Sequence, residues 1–220
     1  HLPLSPQALD EVRQIQMDTR EIVLMNAALR NDIWTYTWGD KEYTTHKYYT
    51  FCFRDIQGHR AFHWIWKSKS NMKIKVFGWL LLSDRLNTRN MLKRRHYNIG
   101  NNHDYILCGQ HIEETLEHLF FDCHISTQCW STLGIGWHQG RTRLDKVLMA
   151  KEAWGRPLFM EVFLLAAWSI CKECNNKHFR GIAPSRLAWL NRFKSDFSLL
   201  TYRVKEKHKH LIPLLLSCLH

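Results

Sequence analysis

Apolar positions along this chain recur mostly at helical spacing. Residues 5–30 are rich in helix formers, and Leu9, Val12, Ile15 and the Ile22-Val23 pair share one face of the helix this predicts. The pattern then changes. Asp32-Ile-Trp-Thr-Tyr-Thr-Trp38 alternates and is β-branched and aromatic, Gly39-Asp40 follows, and Lys41-Glu-Tyr-Thr44 continues it. That predicts a small β-hairpin closed by a glycine-containing turn. Thr45 is placed to cap a short helix through Phe53. Beyond the Gln57-Gly58 break, residues 62–97 predict two or three helices. The stretch 73–82 is apolar on most sides and reads as a buried helix. Residues 84–88 then connect to a basic helix ending near Arg95, with Asn87 or Thr88 as its N-cap.

Ile99-Gly-Asn-Asn102 is a turn-rich break. Two short helices are expected over 113–121 and 126–133, and residues 134–142, which hold three of the ten glycines, read as a loop. A long helix carrying Trp168 spans 158–179. Gly181 to Pro184 breaks it, and Pro184-Ser185 opens a last helix to about Lys207, with proline in a first turn where it is tolerated. The expected fold is mainly α: a helical domain with one small N-terminal β-hairpin, followed by long C-terminal helices. The apolar run 211–219 is shorter than the ~20 residues a membrane span needs and contains Pro213, while Glu161 interrupts 158–170. Both are expected to face a core or a partner, with no membrane association.

The 220 residues suffice for one large or two small domains. The first residue is His1, so the chain is expected to be a piece of something longer. Its formal net charge is +11, a balance that favours an acidic partner, most often nucleic acid, but is also found in basic proteins without one. Seven scattered cysteines are not a disulfide framework, and the first residues lack the basic and apolar regions of a signal peptide. A reducing compartment, nucleus or cytoplasm, is expected rather than secretion.

Candidate chemistry concentrates in Cys108-Gly-Gln-His-Ile-Glu-Glu-Thr-Leu-Glu-His118-Leu-Phe-Phe-Asp-Cys123. Two thiols and an imidazole around a short amphipathic run are the donor types that suit Zn²⁺. Gly109 lets the chain turn beside Cys108, and four residues separate His118 from Cys123. A structural zinc site has four ligands. For the fourth, His103, Asp104, His111, His124 and water are the local alternatives, with His103 foremost. A catalytic zinc with Glu114 or Glu117 nearby, or packed thiols without metal, are the competing interpretations. A second apparent set, Cys171, Cys174 and His178, shares one helix face but has no fourth ligand at suitable spacing and reads as incidental.

Three stretches together resemble one family: Trp66-Lys-Ser-Lys-Ser-Asn-Met-Lys-Ile-Lys-Val-Phe-Gly-Trp-Leu-Leu-Leu-Ser-Asp-Arg-Leu-Asn-Thr-Arg89, Met91-Leu-Lys-Arg-Arg-His96, and Cys108 to Cys123 with Trp130 beyond. In order and spacing they are similar to the zinc-binding domain that follows the polymerase in plant non-LTR (LINE-type) retrotransposon reverse transcriptases. The similarity runs from about residue 33 to 137. It implies a metal site of Cys-x-x-Cys, a glutamate-rich run to His, and a last Cys. Here the second Cys falls on Cys108, the His on His118 and the last Cys on Cys123. The first falls on Tyr105, whose phenol is not a usual structural zinc ligand. The organisation implied is an N-terminal helical segment over 1–31, the zinc-binding-like domain over 32–140 and a C-terminal helical region over 141–220. The partners implied are RNA or DNA and the reverse transcriptase domains upstream.

Nine cations, Lys67, Lys69, Lys73, Lys75, Arg85, Arg89, Lys93, Arg94 and Arg95, fall within 67–95 against one acid, Asp84. Trp64, Trp66, Phe77 and Trp79 are interleaved, with Phe77 and Trp79 expected in the core. Cations with aromatic stacking are the usual means of holding RNA or single strands. No polymerase Tyr-x-Asp-Asp signature, phosphate-binding glycine loop, ribonuclease H carboxylates or Gly-x-Ser-x-Gly elbow occurs in the sequence. The expectation is a non-catalytic, zinc-binding, nucleic-acid-binding region. The alternative is a degenerate helical protein-interaction module that no longer binds metal.

Overall fold

The computed structural model of the chain describes residues 5–25, 35–39, 42–98, 108–109 and 111–219. It divides into two units, residues 1–57 and 58–220.

In the first unit, Ser5 starts helix α1 (Pro6–Met25) by accepting the Ala8 amide on its hydroxyl at 3.2 Å, with Pro6 in the first turn. Helix α2 (Thr45–Cys52) is capped by Thr44, whose Oγ1 accepts from the Lys47 amide at 3.1 Å. The β-hairpin expected over 32–44 is not supported: no strand occurs among the described residues of that stretch, and 32–34 and 40–41 lie outside them. Instead, the Gly39 amide donates to the Tyr36 carbonyl at 2.8 Å, with Gly39 at φ +81. The chain thus turns where the first strand was expected to run. The aromatic residues that made the alternation find partners in one another. Tyr36 stacks on Trp38 with ring centroids 4.8 Å apart, and Trp38 also meets Tyr43, Tyr48 and Phe51. Ring-on-ring contact with α2 gives these side chains partners without a cross-strand neighbour.

The second unit begins with α3 (Arg60–Lys67), α4 (Met72–Leu82) and α5 (Arg89–Arg94). Side chains of His59, Asn71 and Thr88 cap them in turn by accepting amide hydrogens of Ala61, Ile74 and Met91. Thr88, rather than Asn87, is the cap of the basic helix. A single π-helical turn, His118–Asp122, leads into α6 (His124–Thr132). Then follow α7 (Arg143–Trp154), α8 (Phe159–Arg180) and α9 (Arg186–Ser198), with a 3₁₀ turn at Leu199–Tyr202 and two short helices, α10 (Glu206–Lys209) and α11 (Leu211–Ser217).

Helix α8 is the axis of this unit. Nearly every residue from Phe159 to Ala167 is buried, and α4, α6, α7 and α9 pack around it. A helix that is apolar all round has to be surrounded. Gly78 lets α4 lie against it, since a Cβ there would collide with the Leu164 Cδ2. Phe163 stacks on Trp130 of α6 at 5.7 Å and on Phe159 at 6.2 Å.

Helix α7 had no counterpart among the expected elements, and the last helix stops at Ser198 rather than near Lys207. There the Ser198 hydroxyl donates to the Ser195 carbonyl at 2.8 Å, a local bond that competes with helix continuation. The apolar run 211–219 forms α11 and buries Ile212 and Leu219. No described helix is long and apolar enough to cross a membrane.

Phe163→Ala is expected to cost about 3–5 kcal/mol of stability in urea unfolding. Leu187→Ala, on the exposed side of α9, is expected to stay within about 0.5 kcal/mol.

Candidate metal centre and the basic segment beside it

The spacing of His118 and Cys123 sets a geometric problem. In an α-helix, residues five apart point about 140° away from each other. The π turn solves it: the Cys123 amide donates to the His118 carbonyl at 2.8 Å, an i→i+5 bond that brings both residues to one side. Thr115 starts the turn by accepting the His118 amide on Oγ1 at 3.1 Å. A π turn leaves carbonyls poorly paired, and α6 supplies their donors. Ser126 Oγ donates to the Leu119 carbonyl at 2.5 Å, and Trp130 Nε1 to the Phe120 carbonyl at 2.6 Å, both buried. Leu116, Leu119, Phe120 and Phe121 fill the core beneath.

Cys108 enters from the other side, followed by Gly109 at φ +65, a conformation that favours glycine. The donor atoms of Cys108, His118 and Cys123 all lie within 4.8 Å of one another. Cys108 Sγ is 3.3 Å from His118 Nε2. One edge of a zinc tetrahedron with ordinary Zn–S and Zn–N bonds measures about 3.6 Å, so two thiols and an imidazole at this separation fit a zinc ion. Burial holds His118 below its ordinary value, against the pull of Asp122, and so favours the neutral imidazole, the form that ligates. Burial pushes the Cys123 thiol up, while the backbone amides of Ile125 and Ser126 act the other way. A cation would remove the cost of ionising it. Of the alternatives for a fourth donor, His111 and His124 are not part of the group that forms among the described residues. His103, Asp104 and Tyr105 lie outside the described residues.

Cys171 and Cys174 are packed thiols. Burial pushes Cys171 up to about 11 and Cys174 higher still, and neither joins a metal-competent group with His178 among the described residues.

The basic stretch is tied to this loop by side chains that its charge pattern did not single out. Glu114, buried, accepts the Arg89 amide at 3.1 Å at the start of α5, and its carbonyl accepts the Asn90 amide at 3.2 Å. Burial pushes its carboxyl up, and the Arg89 amide and charge pull it down. Lys93 pairs with Glu113 at 3.4 Å. Arg94 pairs with Asp84 at 2.7 Å; Arg143 of α7 approaches Asp84 at 3.8 Å and also pairs with Glu117. The glutamates of the motif are therefore struts to α5 and α7. Their spacing before His118 was the available signal.

The remaining predicted cations are dispersed. Lys75 Nζ donates to the Trp66 carbonyl at 2.8 Å, Arg85 lies over Trp79 at 5.7 Å, and Arg95 donates to Asn87 at 3.4 Å. Lys67 and Lys69 line a cleft with Lys205 and Lys207. Lys73 lies over Trp168 at 5.3 Å. Phe77 is buried, Trp64 and Trp79 are half-buried, and Trp66 is exposed.

Trp130→Phe keeps the ring and removes the donor to the Phe120 carbonyl. It is expected to lower stability by about 1–3 kcal/mol, the cost of an unpaired buried carbonyl, read from denaturant midpoints at unchanged m-value.

Residues 43–130 match the family model described as zinc-binding in reverse transcriptase. No curated protein and no solved structure matches the chain. The matched segment takes in the Cys108–His118–Cys123 group, Trp130 and the whole basic stretch, and over it the chain is similar to the zinc-binding domain of reverse transcriptases.

Proposed function

We propose that the chain is a non-catalytic accessory region of a reverse transcriptase of the plant LINE type. In it, zinc held by Cys108, His118 and Cys123 braces the loop supporting a nucleic-acid-binding segment. The observation that carries this is the double tie from that loop to α5: Glu114 on the Arg89 amide and Glu113 on Lys93. Bound zinc would fix the orientation of α5 and its cations. The fourth donor is His103 or water. Lys67, Lys69, Lys73, Lys75, Arg85, Arg89, Lys93, Arg94 and Arg95 then supply charge toward RNA or DNA. Upstream polymerase domains would be covalent partners, and the nucleus or cytoplasm the setting.

Zinc is expected to bind at one equivalent per chain and to raise the melting temperature. At free zinc a hundredfold above Kd the gain is about 2.7 kcal/mol. Cys108→Ala and His118→Ala should each abolish that gain. Acidification from about pH 7 to about pH 5 should release the ion, because both thiols must be deprotonated to ligate. His118 acts in the same direction. Its folded value is lowered, so its contribution to stability is present above its ordinary 6.5 and is lost as pH falls through the lowered value. Elemental analysis beside calorimetry checks both. Less than one equivalent, insensitive to Cys108→Ala, would favour a metal-free protein-interaction module instead.

For nucleic acid, a variant with Lys67, Lys69, Arg85, Lys93 and Arg95 changed to Gln is expected to bind single-stranded RNA more weakly. The slope of log K against log salt should fall by about 0.7 for each phosphate that the variant no longer neutralises. Equal affinity and slope for variant and parent would defeat this part of the proposal.

A further inference from the structure

A cleft of about 580 Å³ opens between the start of α4, the middle of α8, and the end of α9 with its 3₁₀ turn. Four cations line it: Lys73, Lys172, Arg192 and Arg203, against one carboxylate, Asp196. Three of the four come from the C-terminal region, outside the 67–95 stretch and outside the family-matched segment. The ammonium groups of Lys73 and Lys172 both rest over the ring of Trp168, at 5.3 and 5.0 Å from its centroid. Two like charges held by one ring repel each other, and an anion bound near both would relieve that repulsion. At the rim, Tyr202 is 86% exposed, an aromatic ring with little protein against it.

Unpaired donors point to the ligand more directly than charge does. Ser70 lines the cleft, is only 5% exposed, and its buried hydroxyl has no hydrogen-bond partner among the described residues. Arg192 also lines it. One of its terminal nitrogens reaches the buried Glu173 at 3.3 Å, but its Nε is buried without a partner among the described residues. Buried polar groups are normally satisfied, and each orphan costs free energy. A hydroxyl and a guanidinium N–H left open in a cation-lined cleft both suit an oxyanion with several acceptor oxygens.

We infer that this cleft is a phosphate subsite for single-stranded nucleic acid: one backbone phosphodiester sits among Lys73, Lys172, Arg192 and Ser70, and an adjoining base stacks on Tyr202. Stacking on an exposed ring beside a basic groove is the means by which strands are held without sequence preference. This inference rests on the proposed nucleic-acid function and adds a second binding region, built from α8 and α9, to the one upstream.

The test uses the full chain and a fluorescently labelled twelve-nucleotide oligouridine, followed by anisotropy at fixed salt. Tyr202→Ala is expected to weaken binding roughly 5- to 100-fold, and Lys172→Gln with Arg203→Gln to weaken it and lower the salt slope. Ser70→Ala separates binding from folding: it removes a hydroxyl with no partner among the described residues, so the melting temperature should hold or rise while RNA affinity drops. Lys73 stays unchanged in these variants and in the upstream set. If the upstream Gln set weakens binding and these variants do not, the subsite is refuted and the nucleic-acid function stands. If the parent chain binds no RNA, both fail. Inorganic phosphate and uridine monophosphate form the last arms. If phosphate alone raises the melting temperature through Ser70, while RNA affinity ignores Ser70 and Tyr202, the cleft is an anion site and the strand assignment is overturned.

Discussion

Everything near the candidate metal centre depends on one constraint, the five-residue interval between His118 and Cys123. An α-helical turn would send the two side chains apart, and a loop would leave several buried carbonyls without donors. The π turn meets the first difficulty and creates a smaller version of the second, which Ser126 and Trp130 then answer from α6. This explains why a tryptophan seven residues beyond the last cysteine belongs to the same motif: its indole N–H is the donor that the turn requires. Protein hydrogen bonds and aromatic burial thus fix the turn, and the donor group stands on a base that is already packed.

From that base, order extends outward through carboxylates. Glu114 is buried and costly to ionise, yet it meets the first amide of α5, where negative charge at a helix start is favoured. Glu113, Glu117 and Asp84 engage Lys93, Arg143 and Arg94. Exposed ion pairs of this kind contribute little individually to stability. Their role is directional: they set which basic side chains are held against the protein and which stay available. A formal charge of +11 therefore overstates the cation free to meet a ligand, and its distribution says more than its sum.

Local chemistry made much of this legible. Asn87-Thr88 before a basic run, Pro184-Ser185 before an amphipathic one, and the apolar stretch around Glu161 each named an element that forms. The thiol and imidazole spacing named the donor group, because ligand geometry leaves few other uses for it. What stayed hidden was tertiary. The alternation over 32–44 looked like a strand because aromatic residues mark strands and ring clusters alike, and only contact with α2 decides between them. Helix α7 was missed because Arg143–Trp154 alternates charge with scattered apolar residues and shows no single clean face. The cleft beside Trp168 joins residues more than a hundred positions apart, so no local pattern could announce it.

Burial also sorts the thiols by chemistry. Burial pushes Cys129 up to about 12 and Cys171 to about 11, far from the thiolate that oxidants attack. Cys52 and Cys218 lie exposed. Oxidants would reach those two before the buried sulfurs. The packed helices shield their own sulfurs, and the chain's redox reactivity is left to the surface thiols Cys52 and Cys218.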